Sequence, residues 1–290
     1  MKKLKKINFT FVILATALMF FQNCKNDDVP KVDKDKVAYA AADAIRGGQL
    51  YDKFWNTSDY TGPSDPSVIQ ANIENFSDFY RCKQCHGWDL RANEGWYINR
   101  APKTTRPDVS SEELVHMRNE TDLRDMYDEI ANVGGAAVDP ARTADGTNPS
   151  LGGNNMPDYS KILTEGQIWD LVKFLKEGAF DTKNLYDLAT TGTYPTGTKT
   201  LTNLGRNGDA ALGDGFYTSN CASCHGADGK LISLEGKTLG AYVRGGPHES
   251  QHKIKNGHPG SSMGGLPNAT EADVRNLLKA LADTTKYPSE

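Results

Sequence analysis

Cys221-Ala222-Ser223-Cys224-His225 and, 139 residues earlier, Cys82-Lys83-Gln84-Cys85-His86 decide how this chain is read. Each is Cys-x-x-Cys-His, the attachment pattern of a c-type haem. Two thiols about one helical turn apart can each add to a vinyl group of the same porphyrin, and the adjacent imidazole then reaches the iron from the proximal side. The chain has five cysteines, and the two motifs use four of them. A zinc ribbon wants its two Cys pairs close in sequence, whereas Cys85 and Cys221 are 136 residues apart with no second ligand pair near either. A redox dithiol of the thioredoxin kind needs a βαβ context, and no strand-period run is visible. The expectation is two haem c groups, bound through Cys82, Cys85, Cys221 and Cys224, with His86 and His225 as proximal iron ligands.

Around the two motifs the same order of features occurs twice. Gly47-Gly48-Gln49-Leu50-Tyr51 precedes the first motif, then come Met156-Pro157 and a helix; Gly213-Asp214-Gly215-Phe216-Tyr217 precedes the second, then Met263 and a helix. Thr164 with Gln167 makes a capping-box start, followed by Ile168, Leu171, Val172 and Leu175 at i, i+3, i+4, i+7. Thr270 with Asp273 opens the other helix, and Val274, Leu277, Leu278 and Leu281 repeat the spacing. Met156 is the preferred sixth ligand over Met117, Met126 and His116, because Gly152-Gly153-Asn154-Asn155 and Pro157 bracket it in a stiffened loop. Met117 and Met126 fall in Leu114–Ile130, which reads as helix, where methionine usually fills core. Met263 is preferred over His248, His252 and His258 on the same loop argument, with His252 and His258 expected at the surface or the haem edge.

Both halves resemble class I cytochrome c domains, small all-α units in which an N-terminal and a C-terminal helix cross beside one haem. The second half carries the closer likeness, in Asn220-Cys221-Ala222-Ser223-Cys224-His225-Gly226-Ala227-Asp228-Gly229 and His252-Lys253-Ile254-Lys255-Asn256-Gly257 through Gly260 and Met263. The first half departs from it: Tyr51 lies 31 residues before Cys82, whereas Tyr217 lies 4 before Cys221. That insertion includes Trp55 and Tyr60, residues able to shape a pocket or cover haem.

The N-terminus reads as an export signal. Lys2, Lys3, Lys5 and Lys6 precede an apolar run, Ile7 to Phe21, that is too short to span a bilayer. Cys24 follows directly, where lipid would be attached; Phe21-Gln22-Asn23 resembles the looser lipoprotein signals of the Bacteroidetes. Lys25, rather than Asp, after the cysteine leans toward the outer membrane. The division expected is a signal peptide at 1–23, a tether at 24–36, cytochrome c domains at 37–180 and 205–290, and a linker at 181–204 rich in Thr, Gly and Asn, whose Tyr and Leu residues could pack across the domain face. The fold class is all-α.

The net charge of −4 argues against a nucleic-acid partner. The resemblance implies extracytoplasmic electron transfer by a membrane-anchored carrier whose partners are redox proteins: a dehydrogenase, an oxidase or another cytochrome. The rival is a dihaem enzyme of the peroxidase or thiosulfate dehydrogenase type. Against it, Asp78-Phe79-Tyr80-Arg81 does not resemble the peroxidase segment before the first motif, and no cysteine is spare for a distal ligand.

Overall fold

The structure is a computed structural model that describes residues 32–290 except 69, 104, 105, 107 and 136–155. The expected signal peptide, Cys24 and Gly152–Asn155 lie outside the described residues. Short polar side chains start the helices. Asp33 caps α1 (Lys34–Ala41), and Asp43 caps α2 (Ala44–Lys53) by accepting from the backbone N–H of Ile45 and Arg46. After a 3-10 turn at Phe54–Asn56 come α3 (Gln70–Asn75), α4 (Ser77–Tyr80), the motif helix α5 (Cys82–His86) and α6 (Leu123–Ala131). Thr164 and Gln167 close a reciprocal capping box on α7 (Glu165–Lys173).

A two-stranded antiparallel hairpin follows, β1 (Asp187–Thr191) with β2 (Thr198–Thr202), in the register Asp187↔Thr202 to Thr191↔Thr198. Then come α8 (Ala210–Asn220, capped by Asp209), the second motif helix α9 (Ala222–His225), α10 (Leu239–Gly245), α11 (Pro247–Asn256) and α12 (Glu271–Leu281), which Thr270 and Asp273 cap by a second box.

The main helix crossings are α2 on α7 and α8 on α12, and they are built alike. Gly47 stands four residues after its cap and Gly213 four after its own. A Cβ on Gly47 would lie 2.0 Å from Asp170 O, and one on Gly213 would lie 2.0 Å from Asn276 O. Asp170 and Asn276 each stand six residues after their capping threonine. Their side chains accept from the N–H of the opposite cap residue, Asp43 at 2.7 Å and Asp209 at 2.8 Å. The two apolar stripes bury completely, Ile168, Leu171, Val172 and Leu175 in one core and Val274, Leu277, Leu278 and Leu281 in the other. Gly213→Ala should therefore cost about 1–3 kcal/mol through overpacking, measured by denaturant unfolding of the holoprotein. Gly215→Ala, where nothing lies within 4 Å, should instead gain about 0.5–1 kcal/mol from helix propensity.

Three expectations need correction. The segment 181–204 is not a plain linker, and the fold is helical with a small sheet: the hairpin is ordered, Leu185 and Tyr186 enter the second core, and Lys199 donates to Trp96 O. Leu114–Ile130 is not one helix; it is a 3-10 turn at Val115–Arg118, then α6, which starts afresh at the Asp122 cap. His252 is not a surface residue. It is 2% exposed where α11 packs on α2, and its Nε2–H donates to Gly48 O at 3.0 Å. Gln49 and Gln251 complete that contact by donating to Asn256 O and Trp88 O. Burial pushes the His252 pKa down to about 4, so it sits neutral between the halves. At the chain start, α1 begins at Lys34, inside the expected tether, and its Asp35 pairs with Arg124. No helix among the described residues is long and apolar enough to cross a membrane.

Candidate haem-binding sites

Each motif helix ends on a residue whose positive φ favours glycine. Gly87 (φ +77°) and Gly226 (φ +83°) follow His86 and His225, and the carbonyl of each accepts a hydrogen bond from a tyrosine hydroxyl one helix away. Tyr51 donates to Gly87 O at 2.7 Å, and Tyr217 donates to Gly226 O at 2.6 Å. Each tyrosine stands four residues after its crossing glycine, so the same helix face that sets the crossing also locks the end of the motif. None of the four motif cysteines is joined to another in a disulfide. Burial pushes the Cys82 and Cys221 thiols up to about 11. Among the described residues no group of three or more His, Cys, Asp or Glu is placed to hold a metal ion on its own.

In the first half the four expected residues share one cavity of about 670 Å³: Cys82, Cys85, His86 and Met156 all line it. Its remaining wall is largely apolar or aromatic, with Leu171 and Leu175 from α7, Ile130 from α6, and Tyr51. The volume suits a cofactor of small-molecule size, and a wall with two thiols, an imidazole and a thioether fits a haem's two attachment points and two axial positions. His86 Nδ1 lies 3.3 Å from Glu112 O; donating there fixes the tautomer and leaves Nε2 with its lone pair for a metal. Burial lowers the His86 pKa, which also keeps the ring neutral.

Several supporting residues went unread in the sequence. Tyr159 donates to Tyr80 O at 2.8 Å, with its hydroxyl 3.8 Å from Cys82 Sγ. Asn132, the left-handed cap of α6, donates to Met156 O at 2.7 Å and Pro157 O at 3.2 Å, tethering the methionine loop to the helix end. An Asn directly before Val-Gly-Gly was the available signal for that cap. Arg81, on the cavity wall, pairs with the fully buried Asp52. Burial pushes Asp52 up, and the Arg81 guanidinium beside it more than reverses this and holds the carboxyl below its ordinary range. Trp55 and Tyr60 from the insertion pack edge-on against Phe54 in the first core and do not line the cavity.

The other candidate ligands divide cleanly. Met126 is fully buried in the core and His116 is exposed, and neither lines the cavity; Met117, also buried, does line it beside Met156. In the second half, Cys221 and His225 are half-buried and Cys224 is exposed. The buried Nδ1 of His225 has no hydrogen-bond partner among the described residues. Leu231 is 69% and Ile232 41% exposed shortly after the motif, apolar surface of the kind a porphyrin face would cover. Met263 is half-buried in a loop that folds back on the end of α11: His258 N donates to Met263 O at 3.0 Å, and Leu266 N to Ile254 O at 2.9 Å. A Cβ at Gly257 (φ +82°) would come within 2.7 Å of Gly265 N, so that fold-back requires glycine.

Residues 208–279 match the family model of cytochrome c oxidase, cbb3-type, subunit III. The match spans α8, the second motif and most of α12, about a quarter of the chain. No curated protein and no solved structure matches the chain. The chain thus carries a c-type cytochrome domain, and such a domain implies haem c and haem-based electron transfer.

Proposed function

We propose that the chain is an exported, lipid-anchored dihaem cytochrome c, with tandem domains at 37–180 and 205–290, that carries electrons outside the cytoplasm. The observation that carries this reading is the doubled construction of glycine crossing, tyrosine lock and motif helix. The half outside the family match holds its motif by the same bonds as the half within it. Cys82 and Cys85 would bind one haem, Cys221 and Cys224 the other; His86 and His225 serve as proximal ligands, Met156 and Met263 as distal ones. Each haem, when bound, supplies a one-electron iron couple whose potential depends on axial ligands, hydrogen bonding and burial.

The protein's own part is to set those terms. Glu112 O orients His86, Asn132 holds the Met156 loop, and Leu171, Leu175 and Tyr51 give the first cavity an apolar and aromatic wall. Met156 on the same cavity wall as His86 favours a carrier with both axial positions filled over a peroxidase or thiosulfate dehydrogenase, whose chemistry needs an iron open to substrate or a different distal ligand. The oxidised protein should accordingly bind cyanide slowly and lack peroxide turnover. A high-spin haem that binds peroxide rapidly would favour the enzyme.

Redox proteins are the partners in this reading, and the matched family's name favours an oxidase among them. Anchoring rests on Cys24 after the short apolar run. Cys24→Ser should move the protein from the membrane fraction to the soluble one or leave it unprocessed; unchanged fractionation would show that Cys24 carries no lipid.

A further inference from the structure

A second cavity, of about 590 Å³, lies between the two halves and shares no lining residue with the first. Its wall comes from three parts of the chain: Lys83 of α5 with Trp88, residues between Trp96 and Lys103, and Arg106; Lys199 of β2; and His248 with Glu249 at the start of α11. Five cationic side chains face it, Lys83, Arg100, Lys103, Arg106 and Lys199, against one carboxylate among the described residues. That carboxylate, Glu249, is engaged by Lys253 at 2.8 Å. Three of the cations are held by neutral groups: Lys199 donates to Trp96 O and Asn99 Oδ1, Arg100 to Gln84 O and Oε1, and Arg106 to Ala101 O.

The aromatic residues of the wall are already taken. Lys83 lies over Trp88 at 4.8 Å, Lys199 over Trp96 at 5.0 Å and Arg100 over Tyr97 at 4.2 Å, while His248 stacks on Trp96 at 4.2 Å and 16°. The rings therefore position the cations more than they offer faces to a flat ligand. His248 is 6% exposed, and its Nδ1 has no hydrogen-bond partner among the described residues. Lys83 is itself buried, and burial pulls its pKa down to about 7, so an anion bound beside it would favour its charged form.

We propose that this cavity binds a small, multiply charged oxyanion, a phosphate compound or a polycarboxylate, which bridges the two halves. Cations converging from separate elements on a concave, small-molecule-sized space focus a positive potential there. An anion with several oxygens can meet Lys83, Arg100 and Lys199 together, as charge-assisted hydrogen bonds require. Because the wall is shared between the first half, the hairpin and α11, occupancy should tie them together and raise the unfolding temperature in a concentration-dependent way. The site goes beyond the electron-transfer reading and does not depend on it.

The test is calorimetric titration and thermal unfolding of the purified holoprotein with pyrophosphate, with citrate, and with sodium chloride at matched ionic strength. Saturable binding of pyrophosphate or citrate with a stabilisation that chloride does not give is the expected result, and the preferred anion identifies the source. Lys199→Gln should weaken binding at least tenfold without changing the haem spectrum. Lys83→Gln should do the same, and should it reduce haem loading, Lys199→Gln with Lys103→Gln supplies the comparison. No binding beyond chloride, or binding weakened less than twofold in the Lys199 and Lys103 variants, would overturn the proposal.

Discussion

Replacing Cys221 and Cys224 together by alanine should leave one haem per chain and convert the second half into a loosely packed, protease-sensitive segment. The reason is the size of what remains. From Gly205 the second half has 86 residues, few enough that its own apolar core gives only marginal stability. Leu231 and Ile232 face solvent beside the motif, and covering the exposed parts of both against an apolar partner is worth about 1.5–3 kcal/mol together. Against a domain stability of about 5–15 kcal/mol, losing that burial and the covalent attachments together is decisive. Proteolysis should cut within about 205–290 and spare the first half, whose core includes α1, α2, α6 and α7. The parallel change at Cys82 and Cys85 should remove the other haem and leave an open cavity of about 670 Å³ in the first core. Two haems surviving either double substitution, counted by pyridine haemochrome, would sink the attachment assignment.

The second large effect concerns the distal ligands. Met263→Ala should lower the second centre's potential on the order of a tenth of a volt, well within the ~0.8 V that axial ligation spans, and open it to cyanide and carbon monoxide. Met156→Ala should do the same to the first centre. Met117 makes this variant informative, because it lines the same cavity. If Met117 were the ligand, Met117→Ala would shift the potential and Met156→Ala would leave it in place. With Met156 as ligand, Met117→Ala should cost stability, about 2–5 kcal/mol for a buried methionine, at a nearly constant potential.

What could be read in the sequence was what local chemistry specifies. Both capping boxes and both apolar stripes follow from residue spacing alone, and the structure has them at Thr164 and Thr270. The glycine and tyrosine before each motif could be matched by position. Their function, a close crossing and a lock on the carbonyl after the histidine, needs the third dimension.

Long-range polar packing was opaque. The α11 sequence Pro-His-Glu-Ser-Gln-His-Lys-Ile shows no apolar face, yet His248, Ser250, Gln251 and His252 are all buried, each satisfied by a neighbour or stacked on a ring rather than placed by hydrophobicity. The hairpin was hidden for a related reason. Asp187–Thr191 and Thr198–Thr202 are half threonine with little apolar alternation, and around Gly192 and Gly197 that composition reads as loop until Lys199 and Tyr194 are seen gripping the first half at Trp96 O and Asp108. Glu112 O as partner of His86, and Asn132 as holder of Met156, lie 26 and 24 residues from what they support, beyond the reach of any local motif.

The central claim is that both motifs, not only the one within the matched family segment, carry covalent haem. The direct measurement is the haem-to-polypeptide ratio of the purified wild-type protein, by pyridine haemochrome after acid-acetone extraction has removed any haem that is not covalently bound. The account predicts two haems per chain, both retained through the extraction. A ratio of one, or loss of haem to the solvent, would contradict it.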